Sequence, residues 1–368
     1  MPLAGWKTEV LSLKDFSALS YWDELVDQAP GSDVYYRPGY VRANKAADHG
    51  EAIALILSSN HVQVLVPLLL RPLSDLPFAR DEAGFDAVTP YGYGGLLPLS
   101  ETDRPDEDDV LALVDALRQW CHEFDVVSCH IRLHPLLEQD QWLRITRFED
   151  DTVSLCFRAL TTGIDLSRWD MAGQRIAGTT ETRRLHLNRA RRCLRVVWGA
   201  SEIPMGEALR LFREVYQHRM TQLKAKPYYY FSDEYYAGLL EGTNLMVALA
   251  YLNDELVGGH LFLMGRQFAH YHLGAANQKG LELNANTLLM NAGAQWAREH
   301  GCRVLHLGGG PGSLFDYKKS YGGPVYRYFT LDVVSDKPRY LNLLNRRLDS
   351  EVLPRPRKGF FPQYRASG

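Results

Sequence analysis

The chain carries an internal duplication. Gln119-Trp120-Cys121-His122-Glu123, followed by residues 126–131, aligns with Gln295-Trp296-Ala297-Arg298-Glu299, followed by residues 302–307, at a constant offset of 176. Gln119/Gln295, Trp120/Trp296, Glu123/Glu299 and His130/His306 are identical in that register. A hairpin pattern precedes each helix: 52–58 turning at Ser59-Asn60 into 62–70, and 245–252 turning at Asn253-Asp254 into 255–264. Hydrophobic period and turn chemistry outlast residue identity, so the simplest reading is two copies of one meander, helix and strand unit. Only the second copy ends in Leu307-Gly308-Gly309-Gly310-Pro311-Gly312, and that asymmetry marks where chemistry is expected.

A length of 368 residues suits two domains of about 150–180 residues each. Hydrophobic and charged contents of 46% and 23% are those of a folded globular chain. The most apolar stretch, 52–70, is broken by Ser58, Ser59, Asn60, His61 and Gln63, so no transmembrane helix is expected. The first residues lack a secretory pattern, which makes the cytoplasm the expected compartment. Five cysteines without a C-x-x-C pair argue against a disulfide framework and a structural zinc site; buried thiols and no metal are expected. A net charge of -3 excludes coating of nucleic acid by bulk electrostatics and leaves room for a local basic patch. The chain has no G-x-S-x-G, H-E-x-x-H, P-loop or strand-linked G-x-G-x-x-G motif, which disfavours the corresponding hydrolases, zincins and nucleotide-binding folds.

Along the first half, helices are expected over 16–28 and, opened by Pro38, over 39–47. The hairpin is followed by the irregular loop Thr89-Pro90-Tyr91-Gly92-Tyr93-Gly94-Gly95. Asp106 to Asp109 open a helix running to about Phe124, and a strand over 126–133 follows. Strands at 152–157 and 162–166 lead to an Arg-rich helix over about 180–195. There Arg184, Asn188, Arg191 and Arg195 share one face, opposite Leu187, Ala190 and Leu194. Further helices are expected over 205–223 and 286–300, and a strand over 303–307. The basic, proline-containing segment 346–368 reads as a solvated or loosely docked tail.

The glycine cluster at 308–312 has two readings. Directly after a buried strand it lets backbone approach a ligand, with Lys318 and Lys319 neutralising an anion or oxyanion; alternatively it is a tight strand-to-helix turn with surface lysines. The Arg-rich helix grips phosphates or is simply solvated. Tyr228 to Phe231 line an acceptor pocket or stack a base, or pack inside, and the core is expected for at least two of the four. His270, His272 and His306 are expected to be structural rather than catalytic.

The run Tyr317-Lys318-Lys319-Ser320-Tyr321-Gly322-Gly323 after a Gly-rich strand end resembles the C-terminal signature of the Fem family of peptidyltransferases. Segment 283–301, ending in Trp-Ala-x-x-x-Gly, and the basic run 183–192 are similar to the same family. The resemblance implies an α/β (α+β) fold of two tandem GNAT-like domains, each a mixed, mostly antiparallel sheet flanked by helices. The expected domains are 1–155, joined by 325–345, and 156–324, with 346–368 as the basic tail. It also implies amide formation, an acceptor amine attacking the ester of an aminoacyl-tRNA, with aminoacyl-tRNA as co-substrate and no cofactor. The acceptor would be a peptidoglycan precursor or a small amine-bearing metabolite, without integral membrane contact or DNA. Under this resemblance Lys318 stabilises the oxyanion or the tRNA terminus, with Tyr317 beside it. The first-domain loop lacks the carboxylate that some members carry, which leaves the general base open among Tyr91, Tyr93 and the substrate itself. Donor binding falls to Lys318, Lys319, Gly308, Gly309, Gly310, Arg184, Arg191 and Arg195, and acceptor binding to Arg37, Lys45, Tyr229 and Tyr230. The alternative is a GNAT N-acyltransferase using acyl-CoA or an acyl carrier protein. The pyrophosphate-loop spacing usual in such domains is absent from 276–286, which favours the tRNA donor.

Overall fold

In the computed structural model the described residues are 6–48, 50–100, 105–146, 148, 151–350, 355 and 359–366. They form two compact units, one of residues 1–158 and 327–368 and the other of 159–326. The first unit opens with β1 (Lys7–Ser12), α1 (Phe16–Gln28), α2 (Pro38–Asp48), β2 (Glu51–Ser58), β3 (Gln63–Pro72), β4 (Phe85–Val88) and β5 (Leu97–Pro98). It continues through α3 (Glu107–Glu123), β6 (Val126–Arg132) and α4 (Gln139–Leu143) to the start of β7 (Val153–Asp165). β1 to β4 pair antiparallel in sequence order, and β6 returns parallel to β4 after the crossover helix α3. That helix begins where the acidic run placed it because Asp106 and Asp109 form a reciprocal capping box. Its apolar face, including the fully buried Trp120, packs on the aliphatic face of β2 and β3.

The second unit contains β8 (Trp169–Asp170), β9 (Arg175–Ile176), α5 (Glu181–Cys193), β10 (Arg195–Trp198), α6 (Met205–Gln222), α7 (Asp233–Gly242), β11 (Asn244–Leu252), β12 (Glu255–Met264) and β13 (Phe268–Ala276). It closes with α8 (Gln278–Glu282), α9 (Ala285–Glu299), β14 (Val304–Gly308) and α10 (Gly312–Lys319). Here β10 to β13 pair antiparallel and β14 returns parallel to β13 after α9. The β2–β3–β4–α3–β6 and β11–β12–β13–α9–β14 series therefore share one topology, and the residues matched at offset 176 fall on α3 and α9 and on β6 and β14. The chain then re-enters the first unit through β15 (Val325–Val334), antiparallel to β6, and α11 (Lys337–Leu348).

Three expectations need correction. The two strands expected at 152–157 and 162–166 are one, β7, because Arg158 is held in extended backbone by bonds from its guanidinium to Thr330 Oγ1 at 2.8 Å and to the Asp332 carboxylate. Cross-strand polar partners, invisible to periodicity, carry the strand through. The described part of the tail is firmly docked, neither solvated nor loosely held. Tyr364 is buried with its hydroxyl 2.9 Å from Ser128 Oγ, Phe361 stacks on His130, and Arg347 donates to the Ala366 carbonyl. Finally, Cys121, Cys129 and Cys302 are buried thiols as expected, but Cys156 is half-buried and Cys193 is exposed at the end of α5. No helix among the described residues is long and apolar enough to cross a membrane.

The tail is fastened by Asp86, fully buried, which accepts from Arg71 Nε at 2.7 Å and from Arg365. Removing one partner from such a buried cluster leaves uncompensated charge, typically a cost of about 3–5 kcal/mol. Asp86→Ala is therefore expected to lower stability by about 3 kcal/mol in urea unfolding. A change below about 0.5 kcal/mol would show that the cluster does not hold the tail.

Candidate functional site

The parallel pairing of β13 with β14 is registered only over Phe268–His270 and Val304–His306, after which the two strands part. β14 ends in the glycine run, where Gly308 (φ 71°), Gly310 (φ 156°) and Gly312 (φ 36°) adopt backbone that side chains disfavour. Gly309 is required by proximity instead, since a Cβ there would lie 2.9 Å from the Leu160 carbonyl oxygen. The run turns the chain so that α10 folds back and aims Lys318 at it. Lys318 is buried, donates from Nζ to the Gly309 carbonyl at 2.6 Å and lies 5.7 Å from the centroid of Tyr271, the first residue of β13 past the registered pairing. Burial pushes its pKa down to about 8. At neutral pH it is a mostly protonated ammonium, held in a poorly solvated place with one of its three donors engaged.

Beside it, the Tyr317 hydroxyl lies 2.8 Å from that of Tyr321, and the Arg183 guanidinium stacks on the Tyr317 ring at 4.2 Å. Arg183 also donates to Ser320 Oγ at 2.7 Å and to Thr287 Oγ1 at 3.2 Å, so it joins α5, α9 and α10 around the lysine. Burial raises the Tyr317 pKa, so its hydroxyl acts as a hydrogen-bonding group rather than a base. Gly322 and Gly323 fix the exit of α10. A Cβ at Gly322 would meet the Gly178 carbonyl oxygen at 2.2 Å, and one at Gly323 would meet that of Gly163 at 1.6 Å. Lys319 is exposed.

The basic-helix face is only partly as expected. Arg184 is exposed on α5, but two donors of Arg191 are engaged by the Gly173 carbonyl, at 2.9 Å, and the Gln174 carbonyl. Arg195 leaves the face altogether: α5 stops at Cys193, and Arg195 pairs with Tyr251 in β10, its guanidinium over that ring. Edge-strand pairing ends the helix before its charge pattern does. Of the aromatic run, Tyr228, Tyr229 and Tyr230 are exposed and only Phe231 is partly buried, stacked on Tyr235, which overturns the expectation that at least two would lie in the core. A short 3-10 turn between α6 and α7 presents them outward. Of the histidines, His306 Nε2 lies 3.0 Å from Thr161 Oγ1 and His272 Nε2 2.6 Å from the Tyr235 hydroxyl, with burial holding the His272 pKa down at about 3.

In the first unit the Tyr-Gly loop is tightly packed. Tyr93 meets Tyr35 and Tyr328 edge-on at 5.6 and 5.2 Å, whereas Tyr91 is exposed and its carbonyl accepts from the Tyr40 hydroxyl. A buried constellation unread in the sequence supports this loop. Asp33 lies 2.7 Å from His134 Nε2, and Gln139 accepts from the backbone N–H groups of His134 and Leu96 while donating to the Tyr36 hydroxyl. Arg37, expected at an acceptor phosphate, pairs with Asp23 at 2.9 Å and with Asp27. Lys45 is exposed on α2.

The sequence of 179–319 matches the family described as acetyltransferase (GNAT) domain. No curated protein sequence matches the chain. Among solved structures, FemX is similar over 88% of this chain and 98% of its own, with a TM-score of 0.66 at 14% identity. L-PGS from Bacillus licheniformis is similar over 91% and 96% (TM-score 0.52, 13% identity), and a tandem GNAT protein from the clavulanic acid biosynthesis pathway over 90% and 98% (TM-score 0.51, 12% identity). The chain thus has the fold of FemX and of the tandem GNAT protein, and its match to the acetyltransferase (GNAT) domain lies in the second unit.

Proposed function

We propose that the protein forms an amide bond by transferring an aminoacyl group from aminoacyl-tRNA to an amine acceptor, a peptidoglycan precursor or a small metabolite. The observation that carries this reading is the buried Lys318 ammonium, fixed on the Gly309 carbonyl where β13 and β14 part. As the amine adds to the ester carbonyl, negative charge develops on the carbonyl oxygen; a preorganised cation in a poorly solvated site stabilises that oxyanion more than the neutral ester. Collapse expels the tRNA ribose oxygen, which takes up the proton that the amine loses. Arg183 and Tyr317 position the lysine, and Arg184 on the exposed face of α5 is suited to a phosphate.

The second reading is an acyl-CoA-dependent N-acyltransferase, favoured by the match of 179–319 to the acetyltransferase (GNAT) domain. Against it, the turn after β13 caps itself: the Asn277 side chain accepts from the Gly280 N–H at 2.9 Å, so that amide is already engaged. The test is transfer of label from a charged total tRNA pool to an amine-acceptor mixture, with and without ribonuclease, beside an acyl-CoA panel. Ribonuclease-sensitive transfer is expected; transfer from acyl-CoA alone replaces the first reading with the second.

A further inference from the structure

Tyr271 stands on β13 one residue past the pairing with β14, and a break in the ladder sets its direction. Leu261 of β12 pairs with Leu273, but Phe262 pairs with Tyr271, so His272 is an extra residue on β13. A β-bulge of this kind re-aims the side chains around it, and bulges are over-represented beside active sites. The two neighbours part here. His272 meets the Tyr235 hydroxyl, whereas Tyr271 takes Lys318 Nζ over its ring, 5.7 Å from the centroid, and packs on the His260 ring at 4.8 Å.

Glycine at 274 fixes where the phenol ends. A Cβ there would lie 2.3 Å from Tyr271 Oη and 2.6 Å from His260 Cδ2, so only a bare backbone lets the ring lie along β13. His260 is itself anchored, its Nε2 3.1 Å from Asn286 Oδ1 in the first turn of α9. Among the described residues no group hydrogen-bonds the Tyr271 hydroxyl, and, unlike the sealed Nδ1 of His260, it reaches open space. Burial and the neighbouring Tyr317 push its pKa above the ordinary 10, so it keeps its proton through the pH range in which Lys318 titrates. A neutral O–H donor with no partner thus stands beside an ammonium that has one of its three donors engaged.

We propose that Tyr271 is a second oxyanion donor: as the acceptor amine adds, its O–H and the Lys318 ammonium both donate to the carbonyl oxygen that takes up the π electrons. The C–N bond forms, the bond from carbon to the leaving atom breaks, and the proton that the amine loses goes to that atom. Tyr271 keeps its own proton throughout. The inference rests on the amide-forming reading and applies to an ester or a thioester donor alike, since both develop the same oxyanion.

The test measures kcat and KM for the full chain and for Tyr271→Phe, Gly274→Ala and Lys318→Ala, with the charged tRNA pool and the amine-acceptor mixture and, in parallel, with the acyl-CoA panel. Tyr271→Phe is expected to lower kcat about 10²-fold, the lower end for one oxyanion donor, with the KM for the donor unchanged and the fall in turnover above about pH 8 retained. Its urea midpoint should match that of the parent, because the lost hydroxyl holds nothing among the described residues. Gly274→Ala keeps the phenol but displaces its hydroxyl, and is expected to lower kcat at least tenfold; if that variant does not fold, Tyr271→Phe decides alone. Undiminished kcat in Tyr271→Phe beside an impaired Lys318→Ala would overturn the role of Tyr271 and leave the transfer reading intact, as would a raised KM with kcat unchanged. No transfer by the parent from either donor would overturn the reading and this inference with it.

Discussion

Lys318→Ala is expected to lower kcat by about 10²–10³-fold, the usual effect of deleting one preorganised oxyanion donor. The same substitution should leave the fold intact, and the sign follows from the ionisation of the lysine. In the unfolded chain the amine keeps its proton to about its ordinary value of 10.5; in the fold, burial releases it at about 8. The folded state therefore binds fewer protons between those two values, is penalised while the lysine is charged, and gains stability as pH rises from 8 toward 10.5. At 1.36 kcal/mol per unit the penalty at neutral pH is on the order of 3 kcal/mol, offset in part by the bond to Gly309. Lys318→Met is accordingly expected to be more stable than the parent at pH 7, by about 1–2 kcal/mol, while as impaired in turnover as Lys318→Ala. Turnover in the parent should fall as pH rises through about 8, and Lys318→Arg should retain whatever activity it has beyond that limb, because its cation persists. Undiminished kcat in Lys318→Ala would remove the oxyanion role.

Gly323→Ala is expected to be the most damaging small substitution in the second unit. The added carbon would lie 1.6 Å from the Gly163 carbonyl oxygen, a backbone atom that no rotamer change can move aside. The segment after α10 must then shift away from β7, with the loss of the Gly163 N–H bond to the Pro324 carbonyl and the Thr162 hydroxyl bond to the same atom. A cost of at least about 3 kcal/mol is expected, in the range that marks backbone conflict rather than surface change. Denaturant unfolding followed through the second-unit tryptophans Trp169, Trp198 and Trp296 reads it directly. Stability within about 0.5 kcal/mol of the parent would show that the two strands approach less closely than 1.6 Å implies.

These two residues also show how differently parts of the site can be read from sequence. Lys318 was legible because a glycine run after an apolar strand, followed by a lysine pair, has a chemical meaning at short range. Gly322 and Gly323 stood in the same motif, but their reason for being glycine is a neighbour at 178 and another at 163, and no local pattern reports such an approach. The helices with strong ends were legible to within a residue or two: α1 with its Asp15 cap, and α3 with its capping box. Charge pattern misled where pairing intervened, as Arg195 shows by leaving the α5 face for β10. Aromatic content misled at 228–230, since the short turn there turns the rings outward however apolar they are. The Asp33–His134–Gln139 constellation brings together two segments 101 residues apart, each unremarkable in isolation.

The split of the first unit across the chain has a consequence for the order in which the molecule is made. A ribosome completes residues 159–326 before it supplies β15 and α11, so the second unit is whole while the first still lacks a strand. During that interval β6, whose residues Val126–Ile131 are buried in the finished protein, has no partner from Ser128 to Arg132 along the side that β15 will occupy. At about 5–20 residues per second the delay is roughly 10–30 s, long for an apolar strand edge to stand open to other nascent chains. A nascent chain arrested between residues 159 and 326 thus holds the first unit unfinished however well its own helices have formed, and its open edge is β6 rather than any strand of the second unit.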